Sequence, residues 1–524
     1  MTDIMKKHQK VLFGILLMAE IALMVYMTWQ YGAQWLDSDD SAEMILAELL
    51  SREGGILSKN WYYSTELRVL NTQLVMAPLF CLFSDWRVVR TVGTGILLVI
   101  LLSSYLFLCR SVGLGKSLIY LAPLIVWPFS WVYLDFVLYG LYYIPHLAII
   151  FISLGLCLNT SSKQTLRTLA LIVLSFVAGL GGIRMVAVCY VPLVAAAFVS
   201  VIPHFRSENS VSAKLFFRSL FAVMAAICGL AVNYMVLAKS YSFLTMSFLH
   251  LASPQWGKAV SIIKSLPSFL GMVRYDSSFL KIIVFVLVCF LCLIILLMSL
   301  RLIKYWKSLT QETQVLLAFF LFSVLLTVAA PVFTTQGWSN RYMILPGIGF
   351  LVIISAYIDR FKPTASVIKY VSIILILTEL FAGFYQYYVF AHTKKLPIKN
   401  PAFSYILQSG MRFGFGDWDT SDVLTELSNG RIHLCKIGNF KKLDPWYWLM
   451  EKNFQKYAHG EPVFLIINND RLTYHKNYGY LHGSWEKKEL TYLDHGRVVF
   501  QDRFFTVWEF TSYEQLEALR GKKF

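Results

Sequence analysis

Four carboxylates fall within seven residues: Asp37, Asp39, Asp40 and Glu43, in the run Trp35-Leu36-Asp37-Ser38-Asp39-Asp40-Ser41-Ala42-Glu43. Met44, Ile45, Ala47, Leu49 and Leu50 follow at helical spacing. The acids therefore sit at a helix N-terminus, where the macrodipole favours negative charge. Capping that helix takes one side chain, Ser38 or Asp39, and not four acids. Like charges held together raise one another's pKa, which suits either a general base or a divalent cation. Asp37, Asp39 and Asp40 are the candidate catalytic acids. Asp39 and Asp40 are also the candidate ligands of a divalent cation such as Mg2+ or Mn2+.

Further polar residues lie at the ends of apolar runs. Trp61-Tyr62-Tyr63-Ser64-Thr65-Glu66, followed by Asn71, Thr72 and Gln73, interleaves aromatics with amides and hydroxyls. That mixture suits sugar faces and edges, and it equally suits a membrane-interface belt. Asp135, in Trp131-Val132-Tyr133-Leu134-Asp135, is either an acid at a membrane boundary, a site hypothesis by default, or a solvated loop acid. Arg184 follows Gly179-Leu180-Gly181-Gly182-Ile183. Glycines let backbone approach closely, and a guanidinium binds phosphate bidentately. Arg341 and Tyr342, in Trp338-Ser339-Asn340-Arg341-Tyr342, stand at the mouth of another helix. Two isolated arginines beside an acid cluster suit an anionic lipid headgroup and a hydroxyl nucleophile. Glu43, Tyr63, Glu66, Asp135, Arg184, Arg341 and Tyr342 are the candidate substrate-binding residues.

The elements that must position these residues are membrane helices. Of 524 residues, 57% are hydrophobic and 15% charged, with a mean hydropathy of +0.58. Soluble domains carry roughly 25% charged residues. Apolar runs long enough to span a bilayer cover roughly 10–30, 88–109, 117–132, 141–158, 167–181, 185–202, 218–238, 279–300, 314–331, 343–358 and 367–390. These predict about eleven spans. With the N-terminus inside, the cytoplasmic gaps hold Arg110 and Lys116, Lys163 and Arg167, Arg206 with Lys214 and Arg218, Arg301 with Lys304 and Lys307, and Arg360 with Lys362. Every one is basic, as the positive-inside rule asks. Residues 67–83 would invert every later loop if they spanned, so they are read as an interfacial or re-entrant helix.

The net charge of +16 is explained by these loops, and no nucleic-acid partner is implied. The eight cysteines form no CxxC pair and read as small core hydrophobes. Residues 11–28 follow Lys6-Lys7 like a signal peptide but lead to no small-residue cleavage site, which predicts an uncleaved first helix. The tail from about 391 is polar and aromatic-rich. Residues 431–437, 463–467 and 496–510 read as strands, and 420–428 and 513–520 as helices. The expected fold is an all-α polytopic membrane domain, residues 1–390, and a small extracytoplasmic α/β domain, residues 391–524. Outer loops 31–87 and 239–278 belong to the first of these.

At these residues the chain resembles the GT-C glycosyltransferases, which include protein O-mannosyltransferases, oligosaccharyltransferases and bacterial aminoarabinose transferases. The shared pattern is a first helix, an acidic motif in the first outer loop, and an interfacial helix before the second span. The stretch from Asp39-Asp40-Ser41-Ala42-Glu43 to Leu50 is similar to that motif, with Asp40 where relatives have Glu. Arg341-Tyr342-Met343-Ile344-Leu345-Pro346 resembles a late outer-loop motif of bacterial members. The resemblance implies a bacterial cytoplasmic-membrane enzyme that moves a sugar, with inversion, from a polyprenyl-phosphate donor to a glycan, lipid or protein acceptor on the outer face. It implies Asp39 as base, Arg184 and Arg341 on the departing lipid phosphate, and Asp40 and Glu43 orienting the acceptor or a divalent metal. A flippase or other transporter, and a polymerase of lipid-linked saccharides, are the rival readings.

Overall fold

The computed structural model describes residues 2–159, 164–201, 210–243, 250–272, 279–362, 364–393, 401–469 and 490–520. Lys163 and Arg206, two of the basic loop residues, lie outside them. Helix α1 (Thr2–Tyr31) leads through a 3-10 turn to α2 (Ser38–Glu53). Asp37 caps α2, its side chain accepting from Asp40 N at 3.0 Å. The cap is thus one residue before the two expected. Gly54, at φ 71°, ends α2 by returning its N–H to Leu50 O. Helix α3 (Gln73–Phe80) occupies the ambiguous 67–83 stretch. At eight residues it is too short to cross a bilayer. Helix α4 (Trp86–Ser111) follows, capped by Asp85.

Among the described residues, eight helices are long and apolar enough to span, and up to nine if one bent pair counts as a single span. They match eight of the eleven expected runs. The other three depart from a straight spanning helix. Residues 117–132 break into Gly115–Tyr120, Pro123–Val126 and Trp131–Tyr133. The next run is bent by 88° between Trp131–Tyr139 and Ile144–Leu158. Gln164–Leu180 is an apolar helix of 17 residues. Apolar composition does not separate a broken span from a straight one; here Pro123, Pro128, Gly140 and Pro145 interrupt it. Among the described residues, one π-helical turn, Leu134–Tyr139, contains Asp135 and another, Val186–Tyr190, follows just after Arg184. Such turns recur at functional sites.

The C-terminal α/β domain holds a six-stranded sheet of order β4-β3-β2-β6-β8-β7. Its strands are β2 (Phe413–Gly416), β3 (His433–Asn439), β4 (Asp444–Pro445), β6 (Val463–Asn468), β7 (Arg497–Gln501) and β8 (Phe505–Phe510). β2 runs parallel to β3 and β6, while β8 is antiparallel to β6 and β7. Helices Trp418–Leu427 and Tyr513–Arg520 fall where the sequence places them. A second, two-stranded sheet pairs β1 (Trp61–Tyr62) of the first loop with β5 (Met450–Glu451) of the tail. The first loop and the tail are therefore hydrogen-bonded to each other.

Candidate functional site

The acid cluster separates into three roles. Asp37 is occupied as the helix cap. Asp40 is almost fully buried and its carbonyl accepts from Arg90 Nη2 at 3.0 Å. Its carboxylate lies against Gly140, where a Cβ would sit 2.8 Å from Asp40 Oδ1 and 2.5 Å from Asp135 O; only glycine fits. Asp39 is left half-exposed, facing Arg341 at 3.5 Å. Burial, then the charge on Asp37, pushes its carboxyl up; Arg341, Arg68 and Lys436 pull against that rise without cancelling it. A raised carboxyl is the better proton acceptor near neutral pH.

Glu43, one turn along α2, pairs with Arg68 Nη1 at 2.9 Å and accepts from Thr72 Oγ1 at 2.7 Å. It ties α2 to the start of α3. Tyr63 is buried, its hydroxyl accepting from Ser58 N at 2.8 Å. Tyr342 lies half-buried beside Trp338, with ring centroids 6.0 Å apart. Asp135 lies in the π-helical turn, its carbonyl accepting from Gly140 N at 3.0 Å.

A second cluster forms where the first loop crosses the Gly181-Gly182 turn. Gly182 has φ 125°, a conformation open to glycine. The carbonyl of Gly181 accepts from Leu67 N at 2.9 Å. That bond sets Glu66 and Arg68 beside Arg184. Glu66 pairs with Arg184 Nε, and with His146 Nε2 at 3.1 Å. Burial alone would raise the Glu66 carboxyl. Arg184, His146 and Arg68 overcome it and hold Glu66 well below the ordinary carboxylate range. A small cleft is lined by Glu66, Arg68, Asn71, His146, Gly182 and Arg184, among others.

The two clusters adjoin. Arg68 acts on both Asp39 and Glu66, and Tyr143 feels the charges of both Arg184 and Arg341. Among the described residues, Arg68 Nε and Arg341 Nε are buried donors without a hydrogen-bond partner. Such groups cost about 1–3 kcal/mol each unless something accepts from them. No three His, Cys, Asp or Glu side chains gather as a metal group among the described residues. Asp40 lies against Gly140 while Asp39 faces Arg341.

Sequence reasoning passed over Arg68, His146, Arg90 and Lys436. His146 had a usable signal, as a lone imidazole inside the apolar run 141–158. The others are recruited across long separations and carried none. From the tail, the helix Trp418–Leu427, capped by Asp417, covers the acid cluster. Glu426 grips Arg90 at 2.6 and 2.7 Å. Ser38 Oγ donates to Trp418 O. Lys436 on β3 is wholly buried against Asp422 and the Trp418 ring.

No family model and no curated protein matches the chain. Among solved structures, the chain is similar to ArnT from Cupriavidus metallidurans, crystallised bound to undecaprenyl phosphate. The TM-score is 0.56 at 10% identity, over 96% of this chain and 98% of that one. The likeness runs the length of both chains. The fold expected from the GT-C resemblance, polytopic helices with a C-terminal α/β domain, is the fold observed, and the chain is a multi-pass membrane protein.

Proposed function

We propose that this protein is an inverting glycosyltransferase that takes a sugar from a polyprenyl-phosphate donor and gives it to a hydroxyl acceptor at the face carrying the C-terminal domain. The observation that carries the reading is the division of labour at the first loop. One acid of the cluster, Asp39, is left half-exposed with a raised carboxyl, beside Arg341 and a cleft lined by Arg68 and Arg184, and among the described residues Arg68 Nε and Arg341 Nε are buried donors without a partner. The undecaprenyl phosphate held by the similarly folded ArnT supports a lipid phosphate as the anion that completes those donors.

In the proposed step Asp39 takes the proton of the acceptor hydroxyl. The oxygen attacks the anomeric carbon from the side opposite the phosphate, and the bond from that carbon to the phosphate oxygen breaks. The bonding pair leaves with the polyprenyl phosphate, whose charge is met by Arg184, Arg68 and Arg341. Preorganised donors of this kind act where charge develops. Glu66 keeps Arg184 and His146 in place until the anion arrives. The basic loops support a bacterial cytoplasmic-membrane location with the N-terminus inside and the tail outside.

Turnover of radiolabelled polyprenyl-phosphate sugars in proteoliposomes tests this. Asp39→Asn is expected to lower kcat by about 10²–10⁴-fold, the usual contribution of a general base. Arg184→Ala is expected to lower it through the leaving group. Full activity in Asp39→Asn would remove Asp39 as base. One observation favours a transporter. Glu20 and Glu379 are buried within membrane helices, each with a carboxylate oxygen lacking a hydrogen-bond partner among the described residues, and intramembrane acids mark ion pathways. Absence of turnover with every donor, together with accumulation of lipid-linked sugar across the bilayer, would establish that reading instead.

A further inference from the structure

The helix Trp418–Leu427 presents Trp418, Asp422 and Glu426 at intervals of four residues, one stripe of a helix surface. Every member of that stripe engages the first loop or a residue that does. The Trp418 carbonyl accepts from Ser38 Oγ, the residue between Asp37 and Asp39. Glu426 binds Arg90 through both oxygens, at 2.6 and 2.7 Å. The same Arg90 Nη2 donates to Asp40 O at 3.0 Å. Asp422 pairs with Lys436, whose Nζ also donates to Leu449 O at 2.6 Å and lies 4.2 Å from the Trp418 ring. Asp39 is thus bracketed by two backbone neighbours, Ser38 and Asp40, and each is pinned by the tail. Among the described residues, Asp39 itself is held by its ion pair with Arg341.

We propose that Arg90 and Glu426, with Ser38 and Trp418, are positioning residues that set the Asp39 carboxylate for proton transfer, so that the tail domain is a working part of the reaction centre. Arg90 is a three-bond clamp in this arrangement. Two bonds hold the tail, and the third holds the peptide next to the base. A lysine at residue 90 still pairs with Glu426 as a point charge but lacks the planar fork that reaches both partners. Misplacing a reacting group by about 1 Å costs about 10²-fold in rate, so the loss of the third bond is read in kcat. The arginines assigned to the lipid phosphate, Arg184, Arg68 and Arg341, take no part in the bonds from Arg90 to Glu426 and Asp40, so donor KM is expected to stay unchanged.

The inference rests on the transferase reading above. Its test is Arg90→Lys in the full chain, in proteoliposomes, with the radiolabelled polyprenyl-phosphate sugar that the wild type turns over. The expected result is kcat lower by about 10²-fold at unchanged KM for the donor, with wild-type thermal midpoint and protease resistance of the tail. A folded Arg90→Lys protein with wild-type kcat overturns the inference, as does a kcat that falls only in step with the folded fraction. If Arg90→Lys does not fold, Ser38→Ala decides by the same readout. A fall in kcat at unchanged KM supports positioning, and wild-type kcat overturns it. A wild type inactive on all donors sinks both readings, whereas an active wild type with an indifferent clamp sinks only this one.

Discussion

The working behaviour of the site comes down to Asp39 and the charges around it. Its carboxyl is raised by burial and by Asp37, while Arg341 is the first-named charge acting the other way. A base must be ionised to work, so activity is lost as pH falls through its pKa. The acidic limb of kcat/KM is expected above the ordinary aspartate value of about 3.9. Arg341→Met removes an opposing positive charge. The Asp39 carboxyl then rises further, and the limb moves to higher pH. A pH–rate profile of the two proteins on one donor checks this; a limb that stays put or moves down would separate Arg341 from the base. The acid cluster was legible from sequence because its members are neighbours in the chain. Which of them remained available was not legible, since that depends on Arg68, Arg90 and Gly140, residues 25 to 100 positions away from the Glu43 and Asp40 they meet.

Among the elements, the helix Trp418–Leu427 and β3 show why burial of charge is costly to disturb. Lys436 and Asp422 are both buried, and their ion pair closes the gap between helix and strand. Burial pushes the Asp422 carboxyl up to about 6, and Lys436 limits the rise. Removing one partner leaves an uncompensated buried charge, at about 3–5 kcal/mol, while replacing both with apolar groups can be neutral. Lys436→Met and Asp422→Leu alone are therefore expected to lower the thermal midpoint sharply, and the double variant to recover most of the loss. Thermal unfolding of the purified set measures it, and additive losses would show that the two do not act as a pair. The sequence located this helix and β3 by their periodicity. It could not show β2, whose Phe-Gly-Phe-Gly carries little strand signature, nor the pairing of β1 with β5, which depends on tertiary contact between residues 61 and 451. Straight apolar spans were equally readable. The broken ones were not, because their backbone is satisfied by neighbouring protein in a way composition does not record.

At the level of the whole molecule, the membrane part and the tail share one core. Trp86 and Val89 at the start of α4 belong to the same packed cluster as Phe403, Ile406, Val423 and Leu434 of the tail. Gly430 passes so close to Trp86 that a Cβ there would lie 2.8 Å from the ring. A chain ended after His392 keeps every candidate spanning helix and loses the cover over Trp86, the strand opposite Trp61–Tyr62 and the carboxylate of Glu426. Arg90 then loses the two bonds to Glu426 that hold it against Asp40 O. The truncated protein is expected to unfold at a markedly lower temperature and to show no turnover, and the intact protein to unfold in a single cooperative step that includes the tail. Size-exclusion thermal-shift measurements and proteoliposome turnover check both expectations. A truncated chain with the wild-type midpoint and rate would show that the tail is a detachable module, and that the geometry of Asp39 is set by the membrane helices alone.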